Sequence, residues 1–301
     1  MNIKARTPSE QLKVLRLLNQ RTGLTPAEES YYLNLEKGYE GEVQFDLLTE
    51  KLGTNCLLLN DLLLEVNNTR FQIDTVAIFQ EMVYLFEVKN YEGEFSYEDG
   101  NLYTISGKEI KNPLDQLKRS TSLFRQLVQG MGYHYNIDAY VIFINPEFTL
   151  FNSPRGLPFI LPTQLNRFMK KLESKTSHLN NSHKKLAEKL LSLHLKDSPY
   201  TRLPEYEFEG LKKGVICEKC GSFSVVVQRY EIKCEECDFR EKVERSVLRA
   251  VDEFKLLWPN RKITTNEIYE WCGGNVSKKK ILRVLRKNFK INGVGQWAFY
   301  E

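Results

Sequence analysis

Hydrophobic residues run along this chain in two different periods. In "PSEQLKVLRLLNQ" (8–20) they fall three and four positions apart, which predicts a short helix. "TPAEESYYLNLEKGYEGEVQFDLLTEKLG" (25–53) predicts a longer helix, with Thr25 as N-cap, Pro26 at the first helical position and Gly53 as the stop. Val43, Leu47 and Leu48 form its apolar stripe, while Gly38 and Gly41 weaken its middle. The pattern then changes. "CLLLNDLLLEV" (56–66), "RFQIDTVAIF" (70–79) and "MVYLFEVK" (82–89) predict three consecutive strands on short turns, followed by a more polar hairpin across 93–105. "NPLDQLKRSTSLFRQLVQG" (112–130) predicts a helix capped at Asn112-Pro113, and "IDAYVIFI" (137–144) another buried strand. "LPFILPTQLNRFMKKLES" (157–174) predicts a strand running into a helix. Helix, strand meander, helix, strand and helix together predict one α/β domain over residues 1–175.

Residues 176–213 are polar and read as a linker, with a helical stretch "HKKLAEKLLSLHL" followed by "KDSPYTRLPEYEFEG". Residues 214–243 hold two cysteine pairs. Residues 244–301 read as a small helical unit: "VERSVLRAVDEFKLLW" (243–258) stopped by Pro259, "TTNEIYEWCGG" (264–274) ended by two glycines, and "SKKKILRVLRKNF" (277–289) with Ser277 as N-cap. "KINGVGQWAFYE" (290–301) then predicts a tight hairpin, and the whole order resembles a winged helix-turn-helix in its pattern.

A length of 301 residues suggests two or three units, and 42% apolar with 27% charged residues is the balance of a soluble globular protein. No apolar run approaches the roughly 20 residues that span a bilayer. The opening "MNIKARTPSEQLK" has no apolar signal-like segment. A cytoplasmic protein with no membrane partner is therefore the expectation. The net charge of +4 is unevenly spread: residues 245–301 carry 12 lysines and arginines against 5 acids, so the remainder is mildly acidic. A basic tail on an acidic body points to a polyanion as the partner of the C-terminus.

Two apolar strands are interrupted by charge. In "LFEVKNYEGEF" (85–95), Glu87 and Lys89 lie two apart and share a strand face, opposite Phe86 and Val88. Asp74 interrupts "FQIDTVAIF", and hairpin pairing of the two strands would bring it close to Glu87. Unpaired carboxylates at that distance repel, and burying them is costly unless a cation compensates. Mg²⁺ (or Mn²⁺) takes one or two carboxylates and keeps waters for a phosphate, while Lys89 suits a phosphate oxygen or a water. A Glu-x-Lys pair alone is more often a solvated face or a surface ion pair. Here Glu42 in "KGYEGE" and Gln116 in "NPLDQLKRS" extend the set toward the same cleft, whereas Glu40 points to another side of its helix and reads as surface.

"KGYEGEVQFDLL", "QIDTVAIF", "YLFEVKNYEGEF" and "NPLDQLKRS", in that order over residues 25–165, resemble the NERD (nuclease-related domain) family of the PD-(D/E)XK nuclease superfamily. The resemblance implies a restriction-endonuclease-like mixed sheet flanked by helices. It makes Glu42 the acid of the first helix, Asp74 the central metal-binding acid, Glu87 and Lys89 the E-x-K pair, and Gln116 an accessory group. Ile73 stands where that superfamily often has a proline before its aspartate. It implies a Mg²⁺-dependent deoxyribonuclease, with Asp74 and Glu87 on the metal. The alternative is a non-catalytic DNA-binding regulator that keeps the fold.

Cys217 and Cys220, then thirteen residues, then Cys234 and Cys237 match four thiolates around a structural Zn²⁺, as in a zinc ribbon. Isolated Cys56 and Cys272 read as small core side chains. His134, His178, His183 and His194 show no ligand spacing, and the last three read as solvated. In the third C-terminal helix Ile281, Leu282, Leu285 and Phe289 form the core face. Lys278, Lys279, Lys280, Arg283, Arg286, Lys287 and Lys290 project elsewhere with no acid among them, as phosphate contacts would; DNA is favoured over RNA. A protein-binding tail is the competing reading, and association as a homodimer stays open.

Overall fold

The computed structural model describes residues 1–195 and 202–301, divided by their internal packing into two units. The first holds Met1–Pro8 and residues 33–195, the second Ser9–Tyr32 and Arg202–Glu301. Residues 196–201, the start of the expected "KDSPYTRLPEYEFEG" linker, lie outside the described residues.

In chain order the first unit opens with β1 (Asn2–Lys4). The helix α1 (Glu10–Arg21) belongs to the second unit, and the division falls within α2 (Pro26–Glu50). Then come β2 (Leu57–Val66), β3 (Thr69–Ile78), β4 (Met82–Lys89), β5 (Gly93–Glu98), β6 (Asn101–Thr104) and β7 (Glu109–Ile110). The helix α3 (Pro113–Gly130) precedes β8 (Asn136–Phe143), β9 (Phe148–Phe151), β10 (Phe159–Ile160), α4 (Pro162–Glu173) and α5 (Asn181–Ser192). Asn112 caps α3 by accepting from Leu114 N–H, with Pro113 behind it as the sequence requires.

The main sheet runs β1-β2-β3-β4-β8-β10, antiparallel across β2-β3-β4 and parallel elsewhere. It is a mixed sheet flanked by helices on both faces. Phe45 of α2 and Leu165, Phe168 and Leu172 of α4 pack on one face with Tyr84, Phe86 and Val88. Phe124 and Val128 of α3 and Leu186 and Leu190 of α5 pack on the other with Val83 and Leu85. A smaller sheet, β7-β6-β5-β9, joins the α3 side through Phe95, Leu102 and Phe148. The expected polar hairpin is β5 and β6; β1, β7 and β9 are too short to show a period in the sequence.

The expected linker helix is instead α5, whose Leu186, Ala187 and Leu190 are buried in the first unit's core. His183 corrects a second expectation. It is 3% exposed, not solvated, because its Nδ1 accepts from Asn180 N–H at the helix start and its Nε2 lies 2.8 Å from Gln80 O. His194 Nδ1 likewise accepts from Leu63 N–H.

The second unit continues with β11 (Val225–Gln228), β12 (Glu231–Cys234) and β13 (Arg240–Lys242), an antiparallel three-stranded sheet. The helices α6 (Val243–Leu257), α7 (Thr265–Trp271) and α8 (Lys278–Asn288) follow, then β14 (Ile291–Asn292) and β15 (Phe299–Tyr300). The loop between the last two strands contains a 3-10 turn at Gly295–Trp297, so the hairpin is longer than the tight one expected. Ile263 bridges to Tyr300 beside it. The expected separation of 214–243 from 244–301 differs from what packs: Val225, Ile232 and two cysteines share one core with Val247, Phe254, Trp271 and Ile281. Val14 and Leu18 of α1 lie in that same core, which is why residues 9–32 group with the C-terminus.

Arg21 fixes α1 there. Its guanidinium donates to Lys212 O and Gly214 O, meets Glu253 Oε2 at 2.5 Å, and stacks 3.9 Å over the Trp271 ring. Removing one partner of a buried pair strands the other charge. Arg21→Ala should therefore destabilise the second unit by about 3–5 kcal/mol. All three tryptophans lie in that unit, so urea unfolding followed by tryptophan fluorescence reads the effect, and an unshifted midpoint would contradict it.

Candidate active site and cysteine cluster

The strand β2 carries Leu59 and Leu62 into one core, and β3 carries Ile73 and Val76 into the same core, each pair three positions apart instead of two. Strict strand alternation is thus broken at 60–61 and 74–75, where Asp61 adopts φ +54°. The β3–β4 register runs from Ile78↔Val83 to Thr75↔Phe86 and stops one residue short of Asp74 and Glu87. Beyond that point Asp74 Oδ2 accepts the Val88 N–H at 2.7 Å, a side-chain oxygen in place of the next ladder acceptor. The far half of β4 stays paired with β8, Glu87 against Val141 and Lys89 against Phe143.

This opening presents Glu87 and Lys89 on the α3 side of the sheet. Lys89 Nζ donates to Glu87 Oε1 at 2.7 Å and to Gln116 Oε1 at 3.4 Å. Asp74 is 6% exposed and Glu87 2%. Glu42, half-buried on α2, is reached through a residue the sequence reading missed. Arg6, just after β1, donates to Glu42 Oε2 at 2.6 Å, to both Asp46 oxygens at 2.9 and 3.2 Å, and to Asp74 O at 2.6 Å. The α2 backbone approaches closely because Gly41 has no side chain: a Cβ there would lie 2.5 Å from Asn90 Cβ. Glu40 is exposed, as expected.

Nothing periodic in "MNIKAR" marks Arg6. The available signal was on α2, where Glu42 and Asp46 stand four apart on one face beside Phe45. Two acids there require a cation.

The electrostatics follow from burial. Glu42 is pushed up to about 8 by burial and by the Asp74 charge, against the pull of Arg6. Glu87 is pushed up to about 8 by burial and by Asp74, against Lys89. Burial also raises Asp74, although Lys89 and the Val88 N–H oppose it. Burial alone would lower Lys89, but Glu87 and Asp74 hold it above the ordinary lysine value. One oxygen of Asp74 and one of Glu87 are hydrogen-bonded; among the described residues the other oxygen of each takes no hydrogen bond. Carboxylate oxygens of this kind are the donors that a hard divalent cation takes. Glu42, Asp74 and Glu87 do not form a set of ligand oxygens all within 4.8 Å; among the described residues the cysteines do so.

Residues 37–144 match the family model of the nuclease-related domain (NERD). The match takes in Glu42, Asp74, Glu87, Lys89 and Gln116. No curated protein and no solved structure matches the chain. Within the NERD domain a basic cleft of about 330 Å³ adjoins Gln116, with Arg70, Lys111 and Arg119 on its walls.

In the second unit Cys217, Cys220, Cys234 and Cys237 place their sulfurs within 4.8 Å of one another. Two of the separations are 3.7 Å (Cys217–Cys237) and 3.5 Å (Cys220–Cys234). Four sulfurs about 2.3 Å from a tetrahedral zinc stand about 3.8 Å apart, so the set fits Zn²⁺. Two matching turns build it: Gly221 N–H donates to Cys217 O with φ +73°, and Asp238 takes φ +55° after Cys237. Burial raises the Cys234 thiol, but the Cys237 and Glu236 N–H groups outweigh it and bring it down to about 7. Against a backbone N–H at each, hydrogen bonding among the crowded sulfurs and burial push Cys220 up to about 12 and raise Cys237. Cys56 and Cys272 are buried core residues, as expected.

Protein purified without chelator should carry about one zinc per chain by elemental analysis, and Cys234→Ser should lose it. Zinc-free wild type would remove the assignment.

The acids make a pH prediction. Glu42 and Glu87 bind their protons more tightly folded than unfolded, so their stabilisation is complete below their unfolded value of 4.5 and is lost as pH rises through about 8. Without added divalent cation, the melting temperature of the first unit followed by circular dichroism should fall across that window. Glu87→Gln should flatten the fall; parallel curves for the two proteins would show that Glu87 titrates normally.

Proposed function

We propose that the chain is a metal-dependent nuclease hydrolysing phosphodiester bonds of DNA. The observation that carries this reading is the convergence of Asp74, Glu87 and Lys89 where β3 parts from β4. Asp74 and Glu87 would hold Mg²⁺ (or Mn²⁺) through their free oxygens. Bound there, the cation would neutralise phosphate charge and acidify a water. Lys89, kept protonated by its acidic neighbours, steadies the negative charge that gathers on the phosphoryl oxygens. Gln116 holds the Lys89 ammonium from the α3 side, and Arg6 ties Glu42 to the Asp74 carbonyl. Arg70, Lys111 and Arg119 in the adjoining cleft favour a polyanionic strand over a neutral substrate.

The second unit would bring the enzyme to DNA. The order α6, α7, α8, β14, β15, with Ile263 bridged to Tyr300, supports reading this unit as a winged helix-turn-helix, in which α8 would be the recognition-type helix. Lys278, Lys279, Arg283, Arg286, Lys287 and Lys290 are exposed on or just after α8, while Ile281, Val284 and Leu285 are buried beneath. Such a face binds phosphates and carries no base code of its own. Duplex DNA is the favoured partner.

Purified protein incubated with plasmid and linear DNA should cut when Mg²⁺ or Mn²⁺ is present and stop with EDTA. Asp74→Ala, Glu87→Ala and Lys89→Ala should each lower the rate by about 10²-fold or more without loss of fold. Equal cutting by wild type and all three variants would identify a contaminant and sink the reading.

A further inference from the structure

A second concave site lies wholly within the C-terminal unit, between the β11–β12 turn and α8, with a volume of about 330 Å³. Its floor is apolar, formed by buried Val243 and Val284. Its rim carries Arg229, Lys242, Lys280, Arg283 and Lys287 against two acids, Glu231 and Glu244. Glu244 is taken up by Lys287 at 2.7 Å and by Asn288 at 3.2 Å, and Glu231 lies 4.0 Å from Arg240. Arg283 forms no hydrogen bond or ion pair among the described residues.

One wall is an aromatic ring. Tyr230 is 75% exposed, yet its backbone is pinned: its carbonyl accepts from Val243 N–H, and the Arg229 carbonyl accepts from Lys280 Nζ at 2.5 Å. Arg229 takes φ +52° to make the turn. A large apolar ring held out on a rigid turn gains nothing for folding. Beside an apolar floor and a cationic rim, it has the chemistry of a base-stacking platform.

We infer that this groove receives an unpaired nucleotide of a DNA strand, its base stacked on Tyr230 and its phosphates held by Arg229, Lys242 and Arg283. The inference deepens the proposed function and rests on its claim that the second unit engages DNA. It adds that the enzyme selects ends or junctions where a single strand leaves the duplex, since inside a duplex the neighbouring base pairs cover the faces that Tyr230 would stack on.

Fluorescence polarisation of the full chain with its zinc, in Mg²⁺-free buffer, tests this without requiring cleavage. The probes are a blunt duplex, the same duplex with a single-stranded tail, and an oligothymidylate. Tailed duplex should bind roughly tenfold more tightly than blunt duplex, Tyr230→Ala should erase that difference, and Tyr230→Phe should keep it. Arg283→Glu should weaken all three probes and lower the salt dependence, as a lost phosphate contact does. Wild type without a preference for the tail, or Tyr230→Ala indistinguishable from wild type, overturns the inference while leaving the nuclease reading intact. Failure of wild type to bind any probe overturns both DNA engagement and this inference, whereas binding here with no cutting of plasmid or linear DNA in Mg²⁺ or Mn²⁺ overturns the nuclease reading alone.

Discussion

The hydrogen bond from Val88 N–H to Asp74 Oδ2 is the constraint on which the first unit's site depends. A central sheet cannot open between two strands without stranding a backbone donor, and a buried unsatisfied N–H costs about 1–3 kcal/mol. Asp74 removes that cost with a side chain short enough to lie along its own strand. Once β4 is released from β3 it still needs a partner, and parallel pairing with β8 supplies it as far as Lys89. The site is therefore rigid on both sides. Glu87 and Lys89 ride on a paired strand, and Asp74 is held by the backbone it satisfies.

That arrangement concentrates negative charge, and the chain answers with cations of two kinds. Lys89 lies within the strand and is shared between Glu87 and Gln116. Arg6 arrives from the N-terminal strand and spans Glu42, Asp46 and the Asp74 carbonyl with its planar fork, a geometry lysine cannot reproduce. Even so, Glu42, Asp74 and Glu87 all remain raised by burial, so the protein's own cations do not fully compensate them. The deficit is the electrostatic argument for a dication, and it lies beside the oxygens left free of hydrogen bonds.

Much of this was legible in the residues because period and interruption are local properties. The three strands of the meander follow from their apolar runs and short turns, α3 from its helical period and Asn-Pro cap, and the Glu87–Lys89 face from alternation. The match over 37–144 covers the motifs that suggested the family. The spacing of the cysteine pairs likewise announced the sulfur cluster. What escaped was non-local. Arg6 lies 36 residues from Glu42 and 68 from Asp74, and nothing near "KAR" reports that separation. The helix α1 has the period of any amphipathic helix, so its apolar face could not say which core it joins. His183 looked solvated because "NSHKK" is polar, yet a capping role at the start of α5 buries the ring.

The candidate site of the first unit and the α8 face of the second handle charge in opposite ways. At the candidate site of the first unit Asp74, Glu87 and Lys89 are largely buried and mutually engaged, so each is held at a fixed position and shifted from its ordinary ionisation. On α8 the charged groups are exposed, numerous and of one sign, with apolar residues anchoring the helix from beneath. Groups of that kind are screened individually by salt but sum over a long polyanion. The β11–β13 sheet shares the helices' core through Val225 and Ile232, and its turns meet at the four sulfurs. This makes the β11–β12 turn stiff enough to present Tyr230 at a fixed place beside the basic helix.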